Sequence, residues 1–288
     1  MIDTMRALVR RGDGIELAEI ATPAPALECA IVEVAYAGVC RTDLAAATGA
    51  IAVPEGRVLG HELSGWFDGE PVTVVPFAPC GTCRTCRAPS DAADRCESPR
   101  WLGLAADGAF ADRVAVPLAS VIRLPRGLPM ALGAFVEPVA AALGVLAVVE
   151  PGMRVAIGGA NRLAELTSRV IAAAGAVRVS HGPCDVAIEH DGDAAALIPE
   201  LCVGGTLILK SRAHRAIALP AGELVARELV VRGVSHGSFH AAVDWLHARR
   251  VVVEDLLAPP RPLADFARVF AEARHETTKQ MFAISERA

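Results

Sequence analysis

Residues 152–189 read GMRVAIGGANRLAELTSRVIAAAGAVRVSHGPCDVAIE, and their rhythm decides the fold of the second half of the chain. Arg154–Ile157 is a short apolar run of the kind that forms a buried strand. Arg162–Ala174 follows with a helical pattern that stops at Gly175, and Asp185–Glu189 reads as another strand. A helix near Ala194–Leu201, a Gly204-Gly205 turn and a strand over Thr206–Leu209 continue the alternation. Strands alternating with helices predict a parallel α/β sheet. Beyond it, helices are predicted near Phe239–Arg249 and Leu263–Ala273, with a closing strand near Lys279–Ile284.

Upstream the texture is different. Short β-type runs broken by Gly and Pro, at Ala30–Tyr36, Pro71–Val75 and Arg113–Pro117, predict an irregular β-rich domain up to about Ala119. Helical signals then dominate Leu132–Val149. The 288 residues suffice for one large or two ordinary domains, and 53% hydrophobic with 21% charged residues marks a globular chain. A formal net charge of −5 gives no reason to expect nucleic acid or an anionic membrane as partner. The longest apolar run, Pro138–Val149, is too short to span a bilayer, and MIDTMRALVRRGDG lacks a signal-peptide core. A cytoplasmic location is the expectation.

Four of the eight cysteines fall in Cys80-x2-Cys83-x2-Cys86-x9-Cys96. Zinc takes four thiolates tetrahedrally, and C-x2-C spacing lets two sulfurs reach one ion across a tight turn. Gly81 permits that turn, Pro79 and Pro89 keep the segment irregular, and Arg84 and Arg87 offset the charge of a four-thiolate centre. Clustered cysteines in a reducing compartment bind metal more often than they pair, so a structural zinc is expected, with disulfides as the alternative. Residues 88–95 should form a loop over the ion, and Cys29, Cys184 and Cys202 should pack as small apolar side chains.

Further motifs are GVCRTDL (38–44), GHELSG (60–65), DGAFADRVAVP (107–117), VEPVAAAL (136–143), VGGTLIL (203–209) and LVARELVVRG (224–233). With the cysteine cluster they resemble the zinc-containing medium-chain dehydrogenase/reductases, the alcohol dehydrogenase superfamily. The resemblance implies a mixed α/β chain with a GroES-like, β-rich, zinc-binding catalytic domain over 1–148. A truncated Rossmann-like parallel α/β domain for nucleotide follows over 149–236, and 237–288 returns to the catalytic domain. It implies zinc-dependent, alcohol dehydrogenase-like oxidoreduction of a small alcohol or carbonyl substrate. The alternative is a non-redox zinc enzyme, or a non-catalytic descendant that binds a small molecule or a partner.

By the same resemblance Cys40 and His61 would ligate a catalytic zinc, with Glu62 or Glu137 completing the protein shell and a fourth position left open. Asp43 would orient His61, and Thr42 would pass the alcohol proton outward. Many relatives carry His where this chain has Ala45, so water would replace that relay. Relatives commonly pair through the Rossmann sheet edge into dimers or tetramers, which makes a homo-oligomer a further expectation.

NAD(P) is the implied redox cofactor, and its fingerprint is G-x-G-x-x-G. Here the loop reads Gly159-Ala160-Asn161-Arg162-Leu163-Ala164, with the first glycine kept and Asn161 and Ala164 in place of the others. Arg162 could offer a cation to a phosphate. Val177–Ser180 also runs through His181-Gly182-Pro183 straight into Cys184–Glu189, so most of the adenosine half-site is expected to be missing. Ordinary NAD(P) binding is therefore doubtful on sequence grounds.

Overall fold

A computed structural model describes residues 3–87, 96–211, 216–275 and 277–285. Its contacts divide the chain into two compact units, Met1–Glu137 with Glu254–Ala288, and Pro138–Val253. The bounds read from the sequence, 148/149 and 236/237, both fall inside the second unit.

In the first unit, β1 (Thr4–Arg11) and β2 (Gly14–Ala21) form an antiparallel hairpin. The main sheet is built on β3 (Cys29–Gly38), whose Ala30, Val32 and Val34 point into the core at every second residue, as a half-buried strand requires. It pairs antiparallel with β4 (Glu62–Phe67), which continues to β5 (Glu70–Val74). Between β3 and β4 lies α1 (Arg41–Ala47). A small pair, β6 (Phe77–Ala78) and β7 (Arg100–Trp101), flanks α2 (Arg84–Arg87), and β8 (Arg113–Pro117) and β9 (Val121–Arg123) rejoin the main sheet.

The predicted helical stretch 132–149 is three pieces: α3 (Met130–Gly133), α4 (Val136–Leu143) and a 3-10 turn over Gly144–Ala147. Pro138 sits in the first turn of α4, where no backbone amide is needed.

The second unit is the predicted parallel sheet. Its strands β10 (Arg154–Ile157), β11 (Val177–Val179), β12 (Cys184–Glu189), β13 (Leu201–Leu209) and β14 (Val230–Gly233) lie in the order β11-β10-β12-β13-β14, every neighbour parallel. The helix α5 (Arg162–Ala173) connects β10 to β11. Val155, Ile171, Val186, Ile188 and Ile208 form one core of this sheet, and Ala156, Cys184, Ile198 and Leu207 form another. Residues 180–183 alone carry the chain from β11 to β12 on the other side of β10. A parallel crossover ordinarily takes about a dozen residues or more, so the half of the sheet before β12 is reduced to two strands and one helix. The predicted helix at 194–201 is a 3-10 helix, Ala195–Glu200, because Pro199 cannot donate to a regular ladder. Two helices, α6 (Ala221–Ala226) and α7 (Phe239–His247), complete the unit.

The chain then re-enters the first unit through β15 (Arg261–Pro262), α8 (Phe266–Ala273) and β16 (Met281–Ala283). The last strand pairs antiparallel with β3, so Phe282 reaches the core beside Phe110 and Phe270. These three rings meet edge to face or tilted, with Phe110 and Phe282 5.2 Å apart. Among the described residues no helix is long and apolar enough to cross a membrane.

Candidate functional site

Two groups of metal-ligating side chains stand out among the described residues, and both lie in the first unit. The first joins Cys40, His61 and Glu62, with one ligand atom from each within 4.8 Å of the others. Cys40 caps α1, whose N3 residue is Asp43. The Asp43 carboxylate is 2% exposed and accepts from the Cys40 backbone N–H at 2.8 Å and the Gly60 N–H at 3.2 Å. Its Oδ1 also lies 3.3 Å from His61 Nδ1. One carboxylate thus fixes both loops that deliver the ligands, and leaves Nε2 of His61 as the outward nitrogen.

Gly60 makes the approach possible. It adopts φ +96°, a region that favours glycine, and a Cβ there would sit 2.6 Å from the Phe110 ring. Across the strand pair Gly38 faces Glu62, and a Cβ on Gly38 would collide with the Glu62 carboxylate. Glu62 is 1% exposed, and Lys279 Nζ stands 2.5 Å from its carboxylate while donating to the Val39 carbonyl at 3.1 Å.

The electrostatics follow from this crowding. Burial alone would push the His61 imidazolium down, but the charge and hydrogen bond of Asp43, with Cys40 beside it, hold its pKa well above the usual value. Burial pushes the Glu62 carboxyl up, Lys279 pulls against that, and the charge of Glu137 adds to the rise. A thiol, an imidazole and a carboxylate converging, with His61 and Glu62 buried and Cys40 partly so, are the donor set of a catalytic zinc with one open position, so the residues fit that metal.

Thr42 Oγ1 lies 3.8 Å from Cys40 Sγ, which puts its hydroxyl beside the group. Glu137 is not one of the converging atoms, although its charge is felt by Glu62. Two further side chains border the group, and of these only Trp101 carries a signal in the sequence, as an aromatic near a β-strand that could line a substrate cleft or pack in the core. Lys279 arrives from the far end of the chain with no spacing to betray it. Trp101 presents its ring at 86° to His61 with centroids 6.5 Å apart, and meets Phe77 tilted at 47° with centroids 4.7 Å apart.

The second group is Cys80, Cys83, Cys86 and Cys96, again within 4.8 Å of one another. Cys80 and Cys86 sulfurs lie 4.0 Å apart, near the ~3.8 Å edge expected of a tetrahedron with zinc–sulfur bonds of about 2.3 Å. Backbone amides already point at the sulfurs: Cys83 N–H at Cys80, Cys86 N–H at Cys83, and both Cys80 and Ser98 N–H at Cys96, at 3.2–3.4 Å. Hydrogen bonds from Thr82 and the Cys83 amide draw the Cys80 thiol down to about 6, whereas loss of water and the neighbouring thiols push Cys86 up to about 12. Four sulfurs this close cannot all ionise without a cation, and zinc meets that need. The expected loop over 88–95 lies outside the described residues. Cys184 is buried, as expected, while Cys29 is exposed and Cys202 only partly covered, so the packing role expected of those two is corrected.

In the second unit Gly159 and Asn161 lie between β10 and α5, and Arg162 and Ala164 lie in the first turn of α5. Asn161 is the N-cap of α5, its Oδ1 accepting from the Leu163 and Ala164 amides at 3.0 and 3.1 Å, and its Nδ2 donates to the His190 carbonyl at 2.9 Å. The amides that a dinucleotide pyrophosphate would use are therefore already taken, and the turn does not fit that group in its usual pose.

Comparison with known proteins agrees with this architecture. Residues 28–126 match the alcohol dehydrogenase GroES-like domain. Galactitol 1-phosphate 5-dehydrogenase of Escherichia coli (strain K12) is 31% identical over 193 residues, covering 61% of this chain and 55% of that enzyme. The chain spans about half the length of the curated relatives it matches. A short chain alcohol dehydrogenase from E. coli CFT073, solved with NADH, superposes with a TM-score of 0.88 at 18% identity over 98% of this chain and 99% of that one. 2R,3R-butanediol dehydrogenase from Bacillus subtilis does so with 0.86 at 21% identity, over 98% and 100%. At these identities the structural likeness is one of fold.

Proposed function

We propose that this chain, which belongs to the zinc-containing medium-chain dehydrogenase/reductase family, is a zinc-dependent, alcohol dehydrogenase-like oxidoreductase acting on a small alcohol or carbonyl substrate. The observation that carries this reading is the convergence of Cys40, His61 and Glu62, with ligand atoms within 4.8 Å of one another. Zinc held there by Cys40, His61 and a carboxylate, Glu62 or Glu137, would supply Lewis acidity to the substrate oxygen. Asp43 keeps His61 in the tautomer that ligates, and Thr42 offers a hydroxyl through which the alcohol proton would leave, while the hydride would pass to NAD(P) supplied as co-substrate. With Ala45 at the next relay position, water takes the proton onward. The relatives named for galactitol 1-phosphate and for a butanediol make polyols the first substrates to try.

The cysteine cluster is proposed as a structural zinc site of the same unit. Metal analysis should find two zinc ions per chain. Cys40→Ser should lose one of them together with alcohol oxidation, and retention of both would sink the reading. A second reading, zinc-dependent hydration or elimination without redox change, is favoured by the hydrogen bonds of Asn161. Turnover of a carbonyl substrate in the complete absence of NAD(P) would decide for it.

A further inference from the structure

The first turn of α5 opens at the carboxyl end of β10, next to the carboxyl end of β12, where parallel sheets of this kind take their ligands. In the G-x-G-x-x-G loop the middle glycine leaves that turn bare, so that pyrophosphate reaches the amides. This chain fills the space from within. The Asn161 side chain uses two of the amides and is tied to the loop after β12 through the His190 carbonyl. Next to it Gly159, at φ +90°, has the Asp191 carboxylate packed so close that a Cβ there would lie 3.3 Å from Oδ2. The seat thus holds a neutral amide side chain in place of a phosphate and has a carboxylate at its rim.

We infer that Asn161 is an internal occupant of the pyrophosphate seat, and that a dinucleotide binds this chain only by displacing it, with Asp191 opposing the incoming charge. The inference deepens the proposed oxidoreductase reading and takes from it only the identity of the ligand. It makes Asn161 a determinant of nucleotide affinity, where helix capping alone would leave it a structural residue.

The test is a titration of NADH into the zinc-loaded full chain, followed by nicotinamide fluorescence, for the wild type, Asn161→Gly, Asn161→Asp and Asp191→Asn. Glycine is a tolerated N-cap, so α5 survives the first change. Asn161→Gly should tighten NADH binding at least tenfold and Asp191→Asn by a smaller factor, while Asn161→Asp, which keeps the cap and adds charge, should not tighten it. A purely capping role gives the reverse order, with Asn161→Gly weakened and Asn161→Asp like the wild type. That order, or low-micromolar NADH binding by the wild type, overturns the inference. The zinc reading fails separately, through an unchanged zinc content and unchanged alcohol oxidation in Cys40→Ser.

Discussion

Asp43 holds two of the three converging residues, Cys40 through its backbone amide and His61 through its ring. Replacing it with Ala should leave the ligands in place but free to turn, at a cost of about 10–100-fold in zinc affinity at this centre, read by competition with a chelator. The raised pKa of His61 sets the sign of a pH effect. Asp43 stabilises the imidazolium, and zinc must displace its proton, so zinc affinity at this centre should fall as the solution is acidified. The drop should approach about tenfold per pH unit for that one proton, and a flat profile in metal-competition titrations would contradict it. Cys40, His61 and Asp43 were legible in the sequence because each stands inside a short motif. Lys279 was not, since the pairing of β16 with β3 is what brings it to Glu62. Trp101 was readable as an aromatic for a cleft or a core, but only the small β6–β7 ladder sets it beside His61.

At the scale of elements, packing around β3, β4 and β16 supports the Cys40–His61–Glu62 group. Phe282→Ala removes a ring from the Phe110–Phe270 cluster and should cost about 3–5 kcal/mol, measured by denaturant unfolding. In the second unit Glu189 closes the end of β12, accepting from the Gly192 and Ser211 amides. Burial would raise its pKa, but the Ser211 and Gly192 hydrogen bonds outweigh that and hold it below the usual carboxylate value. Its contribution is therefore present above the unfolded-state pKa and lost as the pH falls through the folded one. Glu189→Gln should destabilise this unit by about 1–3 kcal/mol at neutral pH and shrink its acid sensitivity, both visible in urea unfolding curves taken across pH. Strands and long helices were readable from apolar rhythm. What rhythm missed is where proline acts: Pro138 opens α4, and Pro199 keeps 195–200 a 3-10 helix. The four-residue passage from β11 to β12 was legible as a gap, but not that β11 would still pair with β10.

For the molecule as a whole, the two cysteine-bearing centres should behave differently. Cys83→Ser should remove one zinc and lower the melting temperature, while leaving the metal at Cys40 and His61 in place, as metal analysis and calorimetry would register. The buried pair of Lys279 and Glu62 gives a second test, because Lys279→Met strands a carboxylate in the core. The metal-free protein should lose about 3–5 kcal/mol, and added zinc should recover part of that loss if Glu62 turns to the ion. An equal loss with and without zinc would show that Glu62 never reaches it.

The route of the chain also sets a timetable. Val39, Cys40, His61 and Glu62 leave the ribosome early, whereas Lys279 and β16 follow more than two hundred residues later. Until they arrive, β3 lacks a partner beside Tyr36–Gly38 and the Glu62 carboxylate has no Lys279 ammonium to meet it. The second unit, continuous from Pro138 to Val253, is under no such wait and can finish folding while the first is still open. A chain truncated before residue 279 should therefore expose a protease-sensitive N-terminal half attached to a resistant α/β half, whereas the full chain should resist in both.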